Sequence, residues 1–186
     1  YDDWREQQRE SRETEDGKLL GIGIASFVEN TGSSPGRPEM GRVKLTEDGT
    51  VVAHCGTADH GQGHGTTYSQ ALSDELGIPY DDIEIVEGDT DDLPEGVGTF
   101  GSRSAPVGVS ALVEAAERVV EQAADLAAKQ LEVPPAELEF ADGVFSDPED
   151  ADNSMTIQEV AALPHEGEGP RDVPDAAATA SFDPPT

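Results

Sequence analysis

The chain has 186 residues, 40 of them acidic against 11 basic, and a formal net charge of −29. That length is enough for one domain with its own core, and the absence of any basic patch excludes direct binding to nucleic acid. No apolar run reaches the ~20 residues of a membrane span, and the single cysteine, Cys55, excludes an internal disulfide framework.

Residues 1–16, "YDDWREQQRESRETED", read as a short charged helix or a frayed end with Trp4 as its one large anchor. "KLLGIGIASFVENTG" follows, and its alternating, β-branched character predicts a strand from Leu19 to Glu29. Asn30 to Pro38 is a loop. "GRVKLTEDGTVVAHCG" predicts a hairpin: Val43 and Leu45 alternate with polar residues, Asp48-Gly49 turns the chain, and Val51 to Cys55 returns.

Gly56 to Gly65 is a glycine-rich loop, with Thr66 or Thr67 as cap of a helix that runs to Leu76 and stops at Gly77. "IEIVEG" is a strand, and "DTDDLPEGVGTFGSRSA" a second long loop. Pro106 opens a long helix to Leu131, with Leu112, Ala115, Ala116, Val119, Ala123, Leu126 and Ala127 along its core side. "ELEFADGVFSD" is a strand pair turning at Asp142-Gly143, and "TIQEVAAL" a short helix opened by Thr156. These elements predict a two-layer α+β fold, a mixed β-sheet with helices packed on one face. The domain is expected over residues 1–164, with 165–186 an extended or disordered tail. The start at Tyr1 and the Pro-rich end suggest a piece of a longer protein.

The acidic residues are spread over helices, strands and turns, and the only lysines are Lys18, Lys44 and Lys129. Such a surface repels itself at low salt and is screened at molar salt, where the Debye length falls to about 3 Å. This predicts a cytoplasmic protein in a salty cytoplasm. An acidic disordered chain is the rival reading, and the periodicity of the middle segment argues against it.

Two glycine-containing loops each lead into a helix N-terminus, where unpaired N–H groups and the positive dipole end favour anions, phosphate above all. The first loop offers Gly61, Gln62, Gly63, His64 and Thr66; the second offers Gly101, Ser102, Arg103 and Ser104. Arg103 is the one Lys or Arg between Lys44 and Arg118. Its guanidinium suits phosphate oxygens, or it pairs with a carboxylate such as Asp89 or Asp91. Gln62 can read a ligand edge with both a donor and an acceptor, or simply tie its own loop. His54, Cys55, His60 and His64 lie close in sequence but lack a recognised zinc spacing, and neighbours on a strand point to opposite faces. A non-catalytic acidic interaction or nucleotide-binding module is the alternative in a different function class.

"GQGHGTTYSQALSDELGIPYDDIEIVEGDTDDLPEGVGTFGSRSAPVG" resembles the molybdopterin-binding large subunits of the xanthine oxidase family, on the aerobic carbon monoxide dehydrogenase branch. The resemblance covers Leu20 to Leu163. It implies a partial molybdenum cofactor-binding domain within a molybdenum hydroxylase. The cofactor implied is a molybdopterin dinucleotide, often in the cytosine form, held in part by the two loops. Iron-sulfur and flavin subunits are the implied partners. The family's catalytic glutamate lies in a downstream motif that this chain does not contain, so no acid here is assigned that role and the piece alone is expected to be inactive.

Overall fold

The computed structural model describes residues 1–14, 17–28, 31–32, 35–163 and 177–184. Strands β1 (Glu39–Leu45) and β2 (Val51–Cys55) form the expected hairpin, with Gly41 opposite Cys55 and Leu45 opposite Val51. The turn carries Gly49 at φ 81°, a conformation that suits glycine. Helix α2 (His64–Leu76) crosses over to β3 (Ile83–Glu87), which lies parallel to β2. The sheet order is β3-β2-β1-β7, where β7 (Ala177–Phe182) pairs antiparallel with β1. The segment expected as an extended tail therefore contributes an edge strand. Its alternation is carried mainly by Ala178 and Ala180, too small to stand out as a strand pattern.

A second, antiparallel sheet has the order β4-β5-β6: Glu139–Ala141, Val144–Asp147 and Asp150–Thr156. The third of these strands was not foreseen, because "DADNSMT" carries almost no apolar signal. Thr156 caps the short helix α4 (Ile157–Ala161) with a capping box closed by Glu159.

The long helix α3 (Ser110–Leu131) lies on β1 and β7 and against α2, so the helices cover one face of the mixed sheet. Its stripe of Ala111, Leu112, Ala115, Ala116, Val119, Ala123 and Ala127 is buried, whereas Leu126, expected on the same side, is 37% exposed. The alanines matter because α3 comes very close. A Cβ on Gly41 would sit 2.7 Å from the backbone carbon of Ala111. Val43, Leu45, Val51, Ala53 and Cys55 fill the space between sheet and helices with Tyr68, Leu72 and Leu76 of α2. Gly77 ends α2 in the left-handed region at φ 64°, and a Cβ there would meet the backbone nitrogen of Gly143 at 2.0 Å. The tip of the β4–β5 turn thus packs on the end of α2.

Two expectations at the N-terminus fail. Helix α1 (Asp2–Glu13) forms, but Trp4 is 57% exposed and Gln8 is its one buried residue. Gln8 Nε2 donates to the Leu20 carbonyl at 3.2 Å, so a polar contact does the anchoring. Residues 19–28 form no strand, and Leu19, Ile24, Phe27 and Val28 are exposed. A strand needs a neighbour to receive its backbone hydrogen bonds, and none of the described strands borders this segment. Its expected last residue, Glu29, lies outside the described residues. So do 164–176, where most of the expected tail falls.

Candidate functional site

The loop before α2 is held by Asp59. Its carboxylate accepts the N–H groups of Gly61 at 2.8 Å and Gln62 at 2.9 Å. The Gly61 N–H, foremost, holds the Asp59 carboxyl below its ordinary range. Gly61 and Gly63 have φ 101° and 82°, and Gly63 is the N-cap of α2. Neither threonine caps the helix. Thr66 is exposed on the first turn, and the Thr67 hydroxyl donates back to the Gly63 carbonyl at 3.1 Å. The first turn of α2 thus has no side-chain cap.

The second loop enters α3 through a π-helical turn, Ser104–Val109, rather than through a regular first turn at Pro106. The wider turn has no side-chain cap. Gly101 and Ser102 have φ 56° and 54°, and the serine is one of only three non-glycine residues with positive φ among the described residues. Strain of this kind persists where the surroundings enforce it.

Arg103 is the enforcing group, and here the expectation needs correcting. Its side chain is fully buried and does not reach the ligand-accessible surface. One guanidinium nitrogen donates to the Glu39 carboxylate and to the Gly98 carbonyl at 2.6 Å; the other donates to the carbonyls of Arg37 at 2.9 Å and Pro38 at 3.3 Å. Glu39 also accepts the N–H groups of Val97 and Gly98, at 3.2 and 3.1 Å. The partner is therefore a carboxylate 64 positions away, not Asp89 or Asp91. Glu39 shares the inward register of β1 with Gly41, Val43 and Leu45. A carboxylate in that register requires a buried cation, a signal that sequence reasoning missed.

The two junctions face one cleft of about 450 Å³. Gln62, His64 and Thr67 line it from the α2 side, and Gly101, Ser102 and Ser104 from the α3 side, with Tyr68 and Phe100 among the other walls. Gly61, Gly63, Thr66 and Arg103 lie beside the cleft without lining it. A Cβ on Gly61, Gly63, Gly65 or Gly101 would meet nothing within 4 Å, so the backbone there is open to approach.

Gln62 also ties its loop. Its Oε1 accepts from the His60 N–H at 2.6 Å, and its Nε2 donates to the Ala58 carbonyl at 3.2 Å. Thr57, Tyr68 and Glu87, none of them singled out in the sequence, sit behind this wall and connect its two sides. Burial pushes the Tyr68 hydroxyl well above the ordinary phenol range, so it stays protonated and remains a donor. Burial likewise pushes the Cys55 thiol up. Cys55 faces the core while its neighbour His54 turns outward to Asp92, 3.2 Å from Nε2. Among the described residues, no group of three or more His, Cys, Asp or Glu is placed to hold a metal, and no helix is long and apolar enough to cross a membrane.

A mixed sheet is covered by two helices that lack side-chain caps, and the loops leading into them meet at one cleft. The chain belongs to the family of molybdopterin cofactor-binding domains, whose model matches residues 1–186. It is 35% identical over 198 residues to the carbon monoxide dehydrogenase large chain of Afipia carboxidovorans, covering 100% of this chain and 24% of that relative. It is 33% identical over 184 residues to the gamma subunit of the 6-hydroxypseudooxynicotine dehydrogenase complex of Paenarthrobacter nicotinovorans, covering 98% and 22%. The structure of reconstituted CO dehydrogenase from Oligotropha carboxidovorans superposes with a TM-score of 0.78 at 35% identity, over 100% of this chain and 25% of that one. The chain spans about a quarter of the length of the curated relatives it matches.

Proposed function

We propose that this chain is part of the large subunit of a molybdenum hydroxylase of the carbon monoxide dehydrogenase type. It contributes part of the cradle for a molybdopterin dinucleotide, in its cytosine form. The observation that carries this reading is the meeting of two uncapped helix mouths at one cleft. Backbone N–H groups and the Ser102 hydroxyl suit phosphate and pterin oxygens without adding a cation, whereas the Thr67 and Ser104 hydroxyl protons are held by Gly63 and Thr99. Gln62, His64, Gly101, Ser102 and Ser104 make the direct contacts. Gly61 and Gly63, their N–H groups turned to Asp59, leave the loop open to close approach, Thr66 presents a first-turn N–H, and Arg103 acts through the shape of its loop. When bound, the molybdenum-pterin group supplies the redox chemistry; these residues bind it, orient it and exclude water around it.

By the same family resemblance, electrons leave through iron-sulfur and flavin subunits. By that resemblance the catalytic glutamate belongs to a motif outside these 186 residues, so the chain alone is expected to have no turnover, and the shielded acids among the described residues are already occupied. Glu39 and Glu87, the two buried enough to act as a shielded base, are both engaged in structural hydrogen bonds. The net charge of −29 supports function in a salty cytoplasm. A rise in the chain's melting temperature with added potassium chloride supports that point, and a flat salt response refutes it.

The test is elemental and nucleotide analysis of the full polypeptide that carries this sequence. Stoichiometric molybdenum and a cytidine nucleotide released by acid are expected, with occupancy reduced in Gln62→Ala and Ser102→Val variants. Absence of molybdenum, or unchanged occupancy in both variants, overturns the assignment.

A further inference from the structure

A chain of hydrogen bonds joins the two rims of the cleft. Gln62 Nε2 lies 2.9 Å from His64 Nε2, and His64 Nδ1 lies 2.8 Å from Glu87 Oε1. The Thr57 hydroxyl donates to the same Glu87 oxygen at 2.6 Å and lies 2.9 Å from the Tyr68 hydroxyl. With the Thr57 proton given to Glu87, the single Tyr68 proton serves both Thr57 and the Ser104 carbonyl 3.2 Å away. The His64 side chain is 6% exposed, and its ring stacks on Tyr68 with centroids 4.8 Å apart. Packing therefore holds the ring against turning over.

The proton positions follow from donor capacity. Gln62 Oε1 faces the His60 N–H and its Nε2 faces the Ala58 carbonyl, which fixes which end of the amide meets His64. An amide nitrogen only donates, so His64 Nε2 accepts and the ring proton sits on Nδ1. There it is donated to the Glu87 carboxylate, the partner that a protonated Nδ1 needs. The opposite tautomer would set donor against donor at Gln62 and a lone pair against the carboxylate at Glu87. Turning the amide over to relieve that would break its bonds to His60 and Ala58.

We propose that Glu87 is a positioning residue for the cleft: by taking the Nδ1 proton of His64 it fixes the orientation of the Gln62 amide. Both hydrogens on Gln62 Nε2 are then used, and Oε1 keeps one lone pair. Gln62 thus offers the ligand an acceptor and selects a hydrogen-bond donor group at that point. The ligand preference rests on the cradle reading above; the tautomer does not.

The experiment is long-range ¹H–¹⁵N NMR of the histidine-labelled 186-residue chain at mildly alkaline pH, with His64 assigned by a His64→Gln variant. The wild type is expected to show neutral His64 protonated at Nδ1. Glu87→Ala shifts the ratio toward the Nε2–H form by about tenfold, the scale of one charge-assisted hydrogen bond. Glu87→Gln restores the wild-type ratio, because its amide oxygen still accepts. An Nε2–H or doubly protonated His64 in the wild type overturns the proposal. So does a folded Glu87→Ala with the wild-type ratio, or a folded Glu87→Gln without it. If Glu87→Ala does not fold, the wild-type tautomer and Glu87→Gln decide. No cofactor is needed, so failure here leaves the cradle reading intact. A correct tautomer in a polypeptide lacking molybdenum fails the cradle reading alone.

Discussion

Replacing Glu39 by alanine leaves the Arg103 guanidinium charged, fully buried and without its carboxylate. The N–H groups of Val97 and Gly98 lose the same acceptor. Removing one partner of a buried ion pair costs about 3–5 kcal/mol, because the remaining charge has no compensation. Full burial means that solvent screening takes nothing off this figure. A domain of this size has about 5–15 kcal/mol of stability in total, so roughly a fifth or more is at stake. The loss falls on the Gly98–Ser104 loop, which Arg103 pins through the carbonyls of Gly98, Arg37 and Pro38. Urea unfolding of Glu39→Ala, Arg103→Ala and the double variant measures the effect. Each single variant is expected to lower the midpoint sharply, and the double variant to cost much less than their sum. A Glu39→Ala cost below about 1 kcal/mol, or strict additivity, refutes the claim that this pair anchors the loop.

Gly41→Ala places a methyl group 2.7 Å from the α3 backbone, which cannot yield as a side chain would. A loss of about 1–3 kcal/mol is expected, read as a fall in Tm of roughly 2–4 °C per kcal/mol; an unchanged Tm means that α3 does not sit against β1 as described. Asp59 has a depressed folded-state pKa, so its stabilisation is present above the ordinary carboxylate range and is lost as pH falls through the lowered value. Its ¹³Cγ titration midpoint should lie below that of free aspartate; a midpoint at or above it shows that the loop is not built on this carboxylate. Cys55 is buried with its thiol pushed up, so it should resist a thiol reagent in the folded chain and react on unfolding. Rapid labelling of the native protein refutes that placement.

Much of the molecule was legible along the chain. The β1–β2 hairpin, β3 and the long helix follow from period-2 and period-3.6 patterns with turn residues between them, all of which are local signals. Thr156 as the start of α4 is equally local, whereas the cap of α2 falls to Gly63 rather than to Thr66 or Thr67. The two glycine loops could be picked out because glycine frees the backbone before a helix, and the structure brings residues of both to one cleft.

What the sequence could not supply was who meets whom. Leu19–Val28 has the look of a strand, but no described strand borders it. Ala177–Phe182 has little such look, yet β1 has a free edge and takes it. Arg103 carried the right charge for a phosphate site, and a carboxylate 64 positions earlier claimed it, since a buried acid on β1 binds more strongly to a buried cation than water or a distant anion can compete for. Local pattern fixes the elements because it depends on neighbours three or four residues away. The cleft and its wiring depend on contacts between distant segments, and those exist only once α3 has settled on the sheet and brought both helix mouths to the same side.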